Sequence, residues 1–309
     1  MLKMRHLILA LIFLILVIVS ILLFKYFQKR KPQLELFSPS LANGEASIGK
    51  FKINSVTPGT KPDTLELHYT TYKNTAVFQG DIIIGIVQKS HGKYMRMQGF
   101  FTTQAIWEDS IIPFDFDGAV LSSDTSVVYD AMREWTTKTK VRFIPHTDET
   151  NFVRFSYGDG YGSFIGQTGN MQPLYFPKDP DKGNIMHEIG HLLGLWHEHC
   201  RPDRDRYIKI TNSNIREAFL CQFIQPISDV VTLNTPYDFN SIMHYPKDAF
   251  AKPGTKTITI INDSPRYHLG NRNILSSGDV AGIKLLYQKS SAMASHKGLK
   301  QTQITCSEN

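Results

Sequence analysis

His187-Glu188-Ile189-Gly190-His191-Leu192-Leu193-Gly194-Leu195-Trp196-His197 is the stretch that decides how this chain is read. His187 and His191 are four residues apart, so on a helix they stand one turn above each other on a single face. Two imidazole nitrogens can then meet one metal ion. Glu188 projects beside that pair, within reach of a water held by the metal and not of the metal itself. Gly194 accepts the left-handed backbone that ends a helix and reverses the chain, which returns His197 to the same ion. Three protein nitrogens leave at least one position open, as in a catalytic zinc centre and unlike a closed structural one.

A second motif lies a few dozen residues on. Tyr237-Asp238-Phe239-Asn240-Ser241-Ile242-Met243-His244-Tyr245 matches the methionine turn found beneath the metal in metzincin proteases, where Met243 would pack without ligating. With it, the run His197-Glu198-His199-Cys200-Arg201-Pro202-Asp203-Arg204-Asp205-Arg206-Tyr207 closely resembles the astacin family of zinc metallopeptidases. Other metzincin branches differ after the third histidine and lack a tyrosine after the methionine turn. The resemblance runs from about Ile106 to Gln288 and takes in Trp107–Phe114, Arg142–Pro145 and Phe155–Ser163.

The resemblance implies an α+β, metzincin-type fold. Its upper part is a twisted, mostly parallel sheet with an antiparallel edge strand plus helices, and its lower part is irregular with a C-terminal helix. It implies one Zn2+ held by His187, His191 and His197, with Glu188 as general base. It also implies that Tyr245 is a fifth ligand at rest that swings away to hydrogen-bond the transition state. Substrates would be proteins or peptides, laid as an added strand on the sheet edge. His199 and His244 have no spacing that puts them on the metal, and Trp196 reads as core packing.

Phe78-Gln79-Gly80-Asp81 stands apart from this domain. Astacin pro-segments often carry a Phe-x-Gly-Asp motif whose aspartate takes the open zinc position, a role that falls here to Asp81. A tight turn before an apolar strand is the other reading, since Gly-Asp is turn chemistry. On the first, the chain is a zymogen and His91–Gly99 contains the activation cut. Glu198 likewise has two readings. It matches the family position that pairs with the new amino terminus, and it could instead pair with Arg201, Arg204 or Arg206.

The 309-residue chain is 41% apolar and carries a formal charge of +6. Six of its 34 basic residues (Lys3, Arg5, Lys25, Lys29, Arg30, Lys31) flank the first apolar run, leaving 28 basic against 28 acidic residues elsewhere. That balance offers no footprint for nucleic acid. Leu7 to Phe24 is uncharged and long enough to span a bilayer, and no small-x-small cleavage site follows it. An uncleaved anchor with an extracytoplasmic protease domain is favoured over a secretion signal. Three cysteines, Cys200, Cys221 and Cys306, make no disulfide framework. Animal astacins usually have two disulfides in this domain, and none of the matching positions here is cysteine, which would suit a bacterial member better. Cys200 could pair with Cys221, or both could be free thiols.

The resulting division is a membrane anchor or signal at 1–31, linker and pro-segment at 32–100, the peptidase domain at 101–289, and an aperiodic, disordered tail at 290–309. Within 32–100, residues 32 to about 55 read as linker. Helical spacing is expected over Ser126–Thr137, Lys182–Leu193 and Gly278–Tyr287, and strands over Val141–Ile144 and Phe152–Tyr157. The Gly-rich stretch Gly158–Gly169 reads as turns and an edge strand. A catalytically silent peptide-binding module is the competing function, and it leaves Glu188 and Tyr245 without a purpose.

Overall fold

The computed structural model describes residues 46–53, 63–72, 75–90, 94–99, 106–225, 232–293 and 304–305. Four parallel strands form the frame of the domain that bears the histidine motif: β6 (Ile111–Phe116), β7 (Arg142–Pro145), β8 (Phe152–Tyr157) and β10 (Met171–Phe176), in the order β7-β6-β8-β10. The two-residue strand β9 (Gly162–Ser163) adds antiparallel to β10, the expected edge strand inside the Gly-rich stretch.

Helix α1 (Ser122–Lys138) buries Val128, Ala131, Met132 and Trp135, a helical stripe facing the core. Helix α2 (Lys182–Leu192) carries the metal motif and is buried from Gly183 onward. Asp181 caps it, accepting from the N–H groups of Gly183 at 2.8 Å and Asn184 at 3.1 Å. The two helices are joined by Trp135 Nε1 donating to Met186 O at 3.0 Å and by Lys182 with Glu134 at 2.7 Å. Phe155, Leu174 and Phe176 from the sheet meet Ile185 and Ile189 from α2 in one apolar core.

Beyond α2 regular structure thins to short 3-10 turns and two three-residue strands, β11 (Ile208–Ile210) and β12 (Ile258–Ile260). A second, aromatic-rich core around Phe219, Phe223, Tyr237, Tyr245 and Phe250 fills this part. Helix α3 (Ser277–Met293) closes the domain.

Three expectations change. Residues 46–53, read as linker, form β1 (Ala46–Ile53), paired antiparallel with β2 (Asp63–Tyr72). β3 (Thr75–Phe78) and β4 (Ile82–Ser90) continue that antiparallel ladder, and β5 (Tyr94–Gly99) pairs with β4 where a flexible activation segment was expected. The tail assigned from residue 290 begins inside α3, and Ile304–Thr305 pairs with β5 as β13. Alternation at 46–53 is masked by Gly, Lys and Ser, so the segment reads as polar although its backbone pairs along its whole length. Leu7–Phe24 and Cys306 lie outside the described residues, among which no helix is long and apolar enough to cross a membrane.

Candidate metal centre

The end of α2 is built to return the chain to its own face. Gly194 has φ +108°, and a Cβ there would lie 2.8 Å from Leu286 Cδ2. Gly194 N–H donates to His191 O at 2.8 Å and Leu195 N–H to Gly190 O at 2.9 Å, so the helix closes on its own carbonyls. The chain then delivers His197, whose Nε2 lies 3.2 Å from that of His187 and 3.3 Å from that of His191. Gly190 serves the other side. A Cβ at that position would sit 2.5 Å from Met243 Sδ, so glycine lets the methionine pack directly against the helix turn that bears the two histidines.

Each imidazole is oriented by a bond at its far nitrogen. His187 Nδ1–H donates to Ile242 O at 2.8 Å, His191 Nδ1–H to Leu195 O at 2.8 Å, and His197 Nδ1–H to Gln79 Oε1 at 3.1 Å. With protons on Nδ1, all three Nε2 lone pairs converge. Burial pushes the His187 and His197 rings below the usual imidazole range, His197 to about 4, which keeps the lone pairs available.

Asp81 completes the cluster. Its Oδ2 lies 3.3 Å from Nε2 of both His187 and His197, and its Oδ1 3.6 Å from that of His191. All four side chains are buried. Ligands about 2.0–2.1 Å from a tetrahedral zinc lie about 3.3–3.4 Å from one another, the spacing seen here. Lone pairs facing each other at 3.2 Å with no proton between them call for a cation, so the residues present fit a divalent metal. Asp81 Oδ1 and Glu188 Oε2 are buried with no hydrogen-bond partner, as groups awaiting a metal and a substrate or water would be. Burial, and next the negative Asp81, hold the Glu188 carboxyl well above its usual range.

The remaining candidates fall around this cluster. Tyr245 Oη donates to the carbonyl of Gln79, so the phenol expected as a fifth ligand is engaged by the loop that carries Asp81. His199 stacks on the Tyr245 ring with centroids 3.7 Å apart, and His244 bonds Tyr237 Oη at 2.7 Å; neither belongs to the metal cluster. Glu198 Oε1 accepts from Arg201 Nη1 at 3.2 Å and from Asp238 N–H at 2.8 Å, the ion-pair arrangement. Burial pushes its carboxyl up to about 8 despite Arg201. Trp196, read as core, is half-buried and lines a cavity of ≈ 120 Å³ with Glu198, Arg201, Asp238 and Leu286. Cys200 and Cys221 are free thiols.

Three residues of the site carried no sequence signal. Gln79 was visible only as the variable position of its motif. Arg272 is buried and donates to Ile242 O, His244 O and Asn184 Oδ1, tying the methionine turn to the start of α2. Asp279 accepts from Ser241 Oγ at 2.6 Å and Ile242 N–H at 3.0 Å, anchoring the same turn to α3.

The loop that carries Asp81 reaches the cluster through the sheet. Ile82 pairs parallel with Ser163 of β9, whose N–H donates to Asp81 O at 3.0 Å. It therefore takes the edge at which a substrate strand is expected.

Comparison with known proteins agrees with this geometry. The sequence model of the astacin peptidase family matches residues 100–288. Tolloid-like protein 2 of Homo sapiens is 34% identical over 224 residues, 70% of this chain and 22% of that protein. Bone morphogenetic protein 1 of Xenopus laevis is 37% identical over 196 residues, 60% of this chain and 27% of that protein. The chain thus spans about a quarter of the length of these curated relatives, which are animal proteins and lend no support to a bacterial source. Among solved structures, High choriolytic enzyme 1, a hatching enzyme zinc-protease from Oryzias latipes, is 33% identical, covers 62% of this chain and 98% of its own, and has a TM-score of 0.56. A family match over more than half of the chain, laid on a fold that brings the three histidines of the motif together, settles its kinship: the chain belongs to the astacin family of metalloendopeptidases.

Proposed function

We propose that the chain is a zinc endopeptidase held as a zymogen, with Asp81 in the metal's fourth position and Glu188 as the general base. The observation that carries this reading is the convergence of the Asp81 carboxylate on the three Nε2 atoms. Zinc bound there would supply a water with a pKa near 7 and polarise the scissile carbonyl. Departure of residues 78–81 removes a negative charge beside Glu188 and admits solvent. Both changes bring its carboxyl down toward a range where it takes a proton at its carboxylate and passes it to the leaving amine. Tyr245, released from Gln79 O, can offer its hydroxyl to the developing oxyanion. Edge strand β9 is freed at the same moment to pair with a peptide substrate.

The cavity beside Glu198 gives the new amino terminus a place to pair with that carboxylate after activation. In this form Arg201 holds it. On the same reading the apolar run at residues 7–24 carries the domain across a membrane, as an anchor or as a cleaved signal. The test is cleavage of a mixed peptide library by residues 32–309 before and after limited proteolysis, with Glu188→Ala alongside. Zinc-dependent cutting that appears only after nicking, and never in the variant, is the expected result. A folded, zinc-loaded protein that cuts nothing in either form would favour a binding module.

A further inference from the structure

Gln79 is the part of the blocking loop that the latency reading does not use. Its side chain is 1% exposed, yet each of its polar atoms has a partner. Nε2 donates to Ile224 O at 2.9 Å and to Cys200 Sγ at 2.9 Å, while Oε1 accepts from His197 Nδ1–H at 3.1 Å. The carbonyl of Ile224 fixes which end of the amide is nitrogen, so the oxygen must face His197. The backbone is committed as well. Gln79 sits at φ +49°, a left-handed conformation that a side-chain-bearing residue adopts only when its surroundings hold it there. From that position its carbonyl receives the Tyr245 hydroxyl.

The three ligands therefore differ in who orients them. His187 and His191 lean on carbonyls of the peptidase domain, Ile242 and Leu195. His197 leans on the pro-segment. Such outer bonds set ring orientation and ligand basicity, and losing one typically costs roughly 10–100-fold in metal affinity.

We propose that Gln79 is a positioning residue of the metal centre: the pro-segment lends His197 its outer hydrogen bond, so the latent chain holds its metal more tightly than Asp81 ligation alone provides. Activation then loosens the third histidine and frees Tyr245 in one event. This rests on the reading of Asp81 as the blocking ligand, and the experiment separates the two.

Zinc-loaded full-length chain, Gln79→Leu and Asp81→Ala would each be titrated with a chromogenic chelator. Their histidine Nδ1–H protons would be followed by NMR with selective 15N labelling. Gln79→Leu should bind zinc roughly 10–100-fold more weakly with Asp81 in place. It should also lose solvent-exchange protection at His197 Nδ1–H while His187 and His191 keep theirs. Unchanged zinc affinity with His197 still protected overturns the proposal. Should Gln79→Leu fail to fold, the wild-type chain before and after removal of the pro-segment decides. Protection lost at His197 alone supports the proposal, and equal protection in both forms refutes it. Asp81→Ala reports separately: if its zinc affinity equals wild type, Asp81 is no ligand, whatever the His197 proton shows.

Discussion

On the sheet side of the histidine cluster, α1, α2 and β6–β10 are held by regular backbone ladders and an apolar core in which Trp135, Phe155, Leu174, Phe176 and Ile189 are fully buried. On the other side, between His197 and α3, the longest strand among the described residues has three, and buried polar side chains hold the backbone in place. Arg204 Nη1 donates to His199 O and Phe223 O, Arg201 to Thr235 O and Pro236 O, and Arg272 to Ile242 O and His244 O. Guanidinium groups serve this purpose because one planar fork can satisfy several carbonyls that have no ladder to join. The candidate metal centre lies on the seam: two of its histidines come from the regular half, one from the first turn of the irregular half.

If the seam is where chemistry occurs, the largest effect should come from Glu188. Glu188→Ala is expected to lower peptide hydrolysis by the activated chain roughly 10²–10⁴-fold with zinc content unchanged, as read from steady-state rates and metal analysis. Leu174→Ala in the regular half should cost about 2–5 kcal/mol in urea unfolding, through the cavity it leaves. Arg272→Ala in the irregular half should cost about 3 kcal/mol, because carbonyls buried around it lose their donor. Arg272→Lys should recover little of it, a point charge being unable to span the same acceptors. If Arg272→Ala cost less than a surface substitution does, the contrast between the halves would collapse.

Gly194→Ala should be milder, at least about 1 kcal/mol from the positive φ, with further loss where the new methyl meets Leu286. The smallest effect belongs to Glu134, the surface link between α1 and α2. Hydrogen bonds from Lys138, then Lys182, hold its carboxyl down at about 2. A depressed carboxylate stabilises the fold above its unfolded pKa of about 4.5 and loses that contribution as pH falls toward 2. Because the carboxylate lies at the surface and stays partly in solvent, Glu134→Gln should cost under about 1 kcal/mol at pH 7 and close to nothing at pH 2, as read from paired melting curves.

The same contrast explains what could be read in advance. α1, α2, β8 and the edge strand followed from periodicity and glycine content, because their faces meet a flat apolar core. The meeting of His187 and His191 followed from their spacing on one helix, that of His197 from the glycine reversal after it, and the placement of Asp81 beside them from a motif that the resemblance supplied. Gln79, Arg272 and Asp279 did not, because each acts on carbonyls or N–H groups distant in sequence, and a partner of that kind leaves no period. β1 was read as linker for a related reason: among its eight residues Lys, Ser and Gly hide a backbone that is paired throughout with β2.

The central claim is that Asp81 closes the metal centre of an otherwise competent peptidase. Its most direct test is peptide hydrolysis by intact, zinc-loaded Asp81→Ala beside the intact wild-type chain, with gel analysis to show that neither has been nicked. Hydrolysis by the uncleaved variant, against a silent wild type, is the predicted result. Equal silence of both, or equal activity of both, would contradict it.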